Sequence, residues 1–183
     1  MMPHCGSLVD MPLDALRSWL GLGAADVQES GPLRDTLEAL DHLDPDRAKY
    51  LASFAYLMGR IAHADRHVSP EETRTMEALV ADHGQIPADQ AMLVVQLAKT
   101  NNRLFGATAD FLVAREFAAV ATYAQKLALM RCLFALAATD QSISTSEEGE
   151  LHKVANELKI DRQDLVALRV EHRRHLPGLS GKG

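Results

Sequence analysis

The sequence has few aromatic residues, few cysteines and no excess of basic residues, and each shortage argues against a class of function. Only 5% of its 183 residues are Phe, Trp or Tyr, so the flat surfaces on which bases stack are scarce. Its 19 Lys and Arg against 25 Asp and Glu give a net charge of −6, which argues against a nucleic-acid partner because phosphates require clustered cations. The two cysteines, Cys5 and Cys132, lie far apart and predict reduced thiols in an intracellular protein.

Long uncharged apolar runs are also missing. Met1–Asp10 carries neither the cationic cluster nor the apolar segment that is typical of a signal peptide. The most apolar region, 104–134, is interrupted by charged residues, namely Asp110, Arg115, Glu116, Lys126 and Arg131. These features predict a cytoplasmic protein with no direct membrane insertion.

Apolar residues recur at helical spacing. Leu51, Ala55, Met58 and Ala62 form one stripe of a helix, and segment 121–138 is apolar nearly all round, which predicts a helix in the middle of a bundle. Because no alternating run long enough for a strand occurs, we predict an all-α bundle of about seven or eight helices. We divide the chain into an N-terminal helical extension (1–45), a helical domain (46–176) and a disordered tail (177–183).

An internal repeat carries most of the functional information. Two copies of an acidic segment join one predicted helix to the next, so the chain is predicted to consist of two similar helical-hairpin halves with a pseudo-two-fold relation. The copies match at an Asp, a Ser and a Glu pair, with one residue inserted before the second Glu pair: Asp65, Ser69, Glu71 and Glu72 in the first copy, and Asp140, Ser144, Glu147 and Glu148 in the second.

These segments allow two interpretations. Clustered carboxylates suit Ca²⁺ or Mg²⁺, and the nearby His63 and His67 would admit Zn²⁺ as a less favoured ion. The same residues predict helix capping without any metal, since Ser69 to Glu72 and Ser144 to Glu147 each follow the Ser-x-x-Glu capping-box pattern. Capping does not explain why an Asp precedes each box by four positions.

The two segments resemble the TerB-like family of tellurite-resistance proteins, which also includes the N-terminal domain of the DnaJ-like co-chaperone DjlA. The resemblance rests on the motif Ala-x-Ala-Asp-Gly-x-[Val/Ile]-Ser-x-x-Glu-Glu, matched by residues 62–72 and 137–148, and it covers roughly residues 48–172. It implies a helical bundle whose acidic loops lie on one face and hold divalent cations. The ligands it implies are Asp65, Glu71, Glu72, Asp140, Glu147 and Glu148, with His63 and His67 as additional candidates.

Two positions depart from the family motif. Arg66 and Gln141 stand where the family has Gly after each Asp, and Arg66 adds a positive charge beside the first segment. These departures favour a weaker or altered cation site. Four acids and two Arg give segment 65–77 a charge of −2, whereas four acids and no cation give segment 140–150 a charge of −4. The sequence therefore predicts an acidic face that is stronger in the second copy.

No arrangement of residues indicates catalysis. Cys132 lies among apolar residues, which is typical of an inert buried thiol, and the chain has neither a glycine-rich phosphate loop nor a metalloprotease motif. With the family resemblance, this predicts a non-enzymatic, cation-binding interaction module of a stress or tellurite-resistance system, with protein partners that include a membrane-associated complex. The alternative is a metal-free helical scaffold whose acidic segments only cap helices.

Overall fold

The computed structural model describes residues 31–62, 69–101, 107–139 and 142–176. All regular secondary structure in these four ranges is helical, which confirms the predicted all-α class and the expected number of helices. A short 3-10 helix, Arg173–His175, follows the last α-helix. The α-helices are α1 (Gly31–Asp41), α2 (Pro45–Ile61), α3 (Pro70–Asp82), α4 (Ala88–Asn101), α5 (Ala107–Val120), α6 (Tyr123–Ala137), α7 (Thr145–Glu157) and α8 (Arg162–Glu171).

Local sequence determines where several of these helices begin. At the start of α2, the Asp44 side chain accepts hydrogen bonds from the backbone N–H groups of Asp46 and Arg47 at 3.0 and 3.3 Å. At the start of α6, Thr122 and Gln125 form a reciprocal capping box, in which each side chain accepts from the backbone N–H of the other. Both arrangements satisfy N–H groups that have no partner within the helix.

Helix α2 is the centre of the bundle. It packs against α1, α4, α5, α6 and α7, and Leu51, Ala55 and Met58 of the predicted stripe are fully buried. The stripe understates the burial of α2, because every residue from Tyr50 to Gly59 is buried. Small residues such as Ser53 allow neighbours to approach on all sides, and the Ser53 hydroxyl donates to the Lys49 carbonyl at 2.7 Å.

Helix α6 is the predicted apolar helix, and the structure confirms that it lies within the bundle. Its middle and end are buried, including Leu129, Leu133 and Phe134, and it packs against α2, α3, α7 and α8. Cys132 is a free, buried thiol on this helix, and burial raises its pKa to about 12. Cys132 is therefore protonated at neutral pH, as expected of a structural rather than a reactive cysteine.

No helix within the described ranges is both long enough and apolar enough to cross a bilayer. Helix α1 packs against α4 and α2, and buries Leu37 and Leu40. Residues 1–30 and the tail 177–183 lie outside the described residues, and the domain boundaries stay a prediction.

The glycine that follows α3 lies against the core. A Cβ atom on Gly84 would lie 2.5 Å from the Val80 carbonyl oxygen and 2.9 Å from Cζ of Phe54, whereas a Cβ on Gly149 within α7 would meet nothing within 4 Å.

We therefore expect Gly84→Ala to lower the free energy of unfolding by about 1–3 kcal/mol, through forced repacking. Gly149→Ala, the matched control, should raise it by about 0.5–1 kcal/mol, since Ala loses less backbone entropy on folding. Urea unfolding measures both, and equal effects of the two substitutions would contradict this account.

Candidate functional site

Both acidic segments end in the same helix cap. At the start of α3, the Glu72 N–H donates to Ser69 Oγ at 3.1 Å, and the Ser69 N–H donates to Glu72 Oε2 at 2.7 Å. At the start of α7, Ser144 and Glu147 form the same two bonds at 3.2 and 2.7 Å. The capping interpretation is confirmed at both sites, so Glu72 and Glu147 each commit one carboxylate oxygen to a helix N-terminus.

The two caps correct the predicted alignment of the repeats. Because the Ser-to-Glu spacing is three residues in both copies, Glu72 corresponds to Glu147. The predicted insertion of one residue before the second Glu pair is therefore wrong. The structural equivalent of Glu148 is Thr73. The sequence comparison matched two visible Glu pairs, although the helix register is set by the capping serine.

The one-residue difference lies instead at the other end of α3 and α7. Gln85 and Lys159 both adopt left-handed backbone conformations, with φ of 54° and 57°, and each directly precedes an isoleucine that contacts the core, Ile86 or Ile160. The spacing from capping serine to isoleucine is 17 residues in the first copy (86 − 69) and 16 in the second (160 − 144). The first copy therefore has one extra residue between the end of α3 and Ile86, in the turn that contains Gly84. The overall pseudo-two-fold relation stays a prediction.

Glu148 is held by a cation from α8. Its carboxylate forms a salt bridge with the Arg169 guanidinium, and its side chain is only 16% exposed. The Nε of Arg169 is buried and has no hydrogen-bond partner among the described residues. The sequence gives no direct indication of this pair, because an arginine near the end of a helix also suits the helix dipole.

Arg60 joins the two repeats. It lies in the last turn of α2, directly before the first acidic segment, and is 8% exposed. Its Nη2 lies 2.5 Å from Glu150 Oε1 and its Nη1 lies 2.7 Å from Glu157 Oε2, both on α7. Lys153 also contacts Glu150, at 3.2 Å, from an exposed position. A partner 90 residues away leaves no local pattern by which sequence reasoning could have found Arg60.

Arg60, Glu150, Glu157 and Lys153 form a charge cluster, called the Arg60 cluster below. Contacts within it shift the pKa values of Arg60 and Glu150. Burial acts to lower the pKa of Arg60, but its hydrogen bonds to Glu157 and Glu150 outweigh this effect and raise the pKa. Burial acts to raise the pKa of Glu150, but the hydrogen bond and positive charge of Arg60 leave it below its usual value. The charged forms of both groups are therefore favoured in the folded protein.

In the first segment, Thr73 stands at the position equivalent to Glu148 and makes different contacts. Thr73 Oγ1 donates to the Ser69 carbonyl at 2.9 Å and accepts from Lys99 Nζ of α4 at 3.2 Å. Glu71 is exposed, and its carboxylate has no ion pair within the described part of the chain. Of the four predicted glutamate ligands, Glu71 is therefore the one whose carboxylate neither caps a helix nor forms an ion pair among the described residues.

Comparison with known families identifies the family. The sequence model of the family described as Tellurite resistance protein TerB matches residues 50–170, more than half of the chain. The chain belongs to the TerB family. No curated protein and no solved structure showed a significant match. The matched region contains all of α3 to α7, α8 up to its penultimate residue, and both TerB-type acidic segments, so the resemblance predicted from the two motifs is confirmed.

The remaining predicted TerB-type ligands belong to the parts of the chain between the described ranges. Asp65, Asp140, His63 and His67 lie outside the described residues, as do Arg66 and Gln141. The two helices that carry the predicted glutamates, α3 and α7, both pack against α6. Within the described ranges, no group of three or more His, Cys, Asp or Glu side chains has an arrangement that could hold a metal ion. The metal-ligand predictions are untested.

The Arg60 cluster should be a main source of stability. Arg60→Gln leaves Glu150 and Glu157 partly buried without their shared cation, and we expect a loss of about 3–5 kcal/mol in the free energy of unfolding. Lys153→Gln removes a contact to the same Glu150, but from a side chain that is 69% exposed, and should cost at most about 1 kcal/mol. Chemical denaturation of both variants tests the difference. Similar losses would show that burial of the guanidinium is not what matters.

Acidification should remove the Glu150 contribution. Because the folded-state pKa of Glu150 is lowered, its stabilising effect is full above the unfolded pKa, near 4.5, and is lost as pH falls through the folded value. Glu150→Gln should therefore destabilise the protein at pH 7, and the gap from wild type should narrow toward pH 3. Glu38→Gln removes an exposed pair within α1 and should stay within about 0.5 kcal/mol at both pH values. A Glu150→Gln gap that does not change with pH would refute the assignment.

Proposed function

We propose that the chain is a non-enzymatic interaction module of a tellurite-resistance-type system that binds a divalent cation through its first acidic segment. Membership of the TerB family supports the system. The observation that carries the cation proposal is Glu71, an exposed first-turn carboxylate with no ion pair among the described residues, six positions after Asp65 in the family motif. Carboxylate oxygens favour Ca²⁺ or Mg²⁺ over Zn²⁺.

The described glutamates differ in how well they fit a cation. Glu71 fits, because it is exposed and its carboxylate has no ion pair among the described residues. Glu72 and Glu147 would have to share their carboxylates between cap and cation, and Glu148 is already paired with Arg169. We therefore propose Asp65 and Glu71 as the principal ligands, with Glu72 in a supporting role. Asp140 and Glu147 of the second segment stay predictions of the family resemblance.

Protein partners have a candidate surface on α8. Val166 and Val170 are one helical turn apart, and are 49% and 58% exposed. Exposed valines at this spacing present a short apolar stripe, which we propose as the contact surface for a protein partner. A membrane-associated complex is the partner that the family resemblance favours. We expect a cytoplasmic location, because the buried Cys132 is a free thiol.

The competing function is a metal-free scaffold. It is favoured by the two complete capping boxes and by the Arg60 and Arg169 pairs, which give Glu72, Glu147, Glu148 and Glu150 structural roles without any ion. In this alternative the acidic segments stabilise the helix termini, and partners recognise the bundle surface.

Thermal melting distinguishes the two functions. After EDTA treatment, Ca²⁺ or Mg²⁺ should raise the melting temperature, since a ligand at 100 times its Kd stabilises the folded state by about 2.7 kcal/mol. Asp65→Asn and Glu71→Gln should reduce the shift. Asp89→Asn is the matched control, because Asp89 is an acid in the first turn of α4 outside both acidic segments, and it should retain the shift.

Two outcomes would contradict the cation proposal. The first is the absence of any shift with Ca²⁺, Mg²⁺ or Zn²⁺ at millimolar concentration, which would favour the metal-free scaffold. The second is an equal shift in Asp89→Asn and Glu71→Gln, which would indicate unspecific screening of a negative protein. Tellurite survival of cells that lack the gene, complemented with each variant, tests the proposed system separately.

A further inference from the structure

The two acidic segments place their second glutamate on opposite sides of the capping glutamate. The residue after the capping glutamate is Thr73 in the first copy and Glu148 in the second. A neutral hydroxyl in the first copy thus corresponds to a carboxylate in the second. The first turn of each helix holds two glutamates. The second glutamate precedes the capping glutamate in the first copy, as the exposed Glu71, and follows it in the second copy, as Glu148, whose side chain is only 16% exposed.

Arg169 supplies the charge that balances Glu148. Its guanidinium reaches across from α8 to the first turn of α7 and forms the salt bridge described above. Two residues further along α7, Glu150 is paired with Arg60 and Lys153, so both of these α7 carboxylates already have positive partners. A cation arriving from solvent would have to displace a guanidinium that is covalently part of the chain.

We propose that Arg169 is a built-in counter-cation that takes the position of a divalent ion at the second acidic segment and confines external cation binding to the first. The inference rests on the proposed function, because it assigns the external ion to the segment that contains Glu71. Arg169 acts here as a residue that determines which segment binds an ion. It is not itself a ligand.

Electrostatics explains why an internal guanidinium is effective. Two opposite charges at contact distance in a partly buried site attract strongly, whereas a cation from solvent must also lose its hydration shell. The positive charge of Arg169 also repels any second cation near Glu148. The first segment has Lys99 nearby, but Lys99 contacts the neutral Thr73 hydroxyl and leaves Glu71 exposed.

Isothermal titration of the EDTA-treated full chain with Ca²⁺ tests the proposal. Arg169→Gln should gain a binding event that wild type lacks, or bind at least about tenfold more tightly. Arg162→Gln is the matched control, because it removes an exposed arginine from the same helix and should titrate like wild type. The double variant Glu148→Gln with Arg169→Gln should lose the gain, since the carboxylate is then absent.

The outcomes separate this inference from the proposed function. Binding by wild type that is unchanged in Arg169→Gln overturns the inference and leaves the proposed function standing. Binding only by Arg169→Gln supports the role of Arg169 as counter-cation at the second segment, but it rejects external cation binding at the first segment and with it the proposed function. If neither protein binds Ca²⁺, both are rejected. If Arg169→Gln is unfolded in EDTA, recovery of its helical circular dichroism with Ca²⁺ supports the proposal, and no recovery overturns it.

Discussion

The structure depends on the pairing of one buried guanidinium. Arg60 lies in the last turn of the central helix α2 and contacts two carboxylates on α7, in the other half of the chain. A charge in so little solvent is tolerated only when it is paired, so α2 and α7 are constrained to a single relative position. The pair aligns the helix before the first acidic segment with the helix after the second. Hydrophobic packing alone would tolerate small sliding of these helices, whereas the two charged contacts do not.

The same constraint limits what the acidic segments are able to do chemically. A carboxylate that caps a helix or neutralises an arginine is already stabilised, and binding a cation must compete with that interaction. In the second segment Glu147 caps α7 and Glu148 pairs with Arg169. In the first segment Glu72 caps α3, and the neighbouring Glu71 has no such role within the described part of the chain. The repeat is thus alike in its helix caps and different in the availability of its charges.

Local features of the chain were predictable from sequence, and features that depend on distant residues were not. Helical periodicity and the Ser-to-Glu spacing act within a few residues, so the all-α class and both capping boxes followed from the sequence. The stripe on α2 was visible, but its burial on all sides depends on which helices surround it. Arg60 and Glu150 are far apart in the chain, and nothing near either residue indicates the other. Aligning Glu71–Glu72 with Glu147–Glu148 failed because adjacent acids look equivalent, whereas only one of each pair has the capping position.

The distribution of the net charge of −6 shows that counting charged residues along the sequence does not identify the segment that attracts a cation. Segment 140–150 counts as −4 in sequence, which indicates the stronger acidic face. In the folded chain Arg169, Arg60 and Lys153 contact two of those acids, although all three cations lie outside the segment. Segment 65–77 counts as only −2, yet it contains the exposed Glu71. Since a cation responds to the charge that remains unpaired after folding, the segment with the smaller count is the better candidate for an external ion.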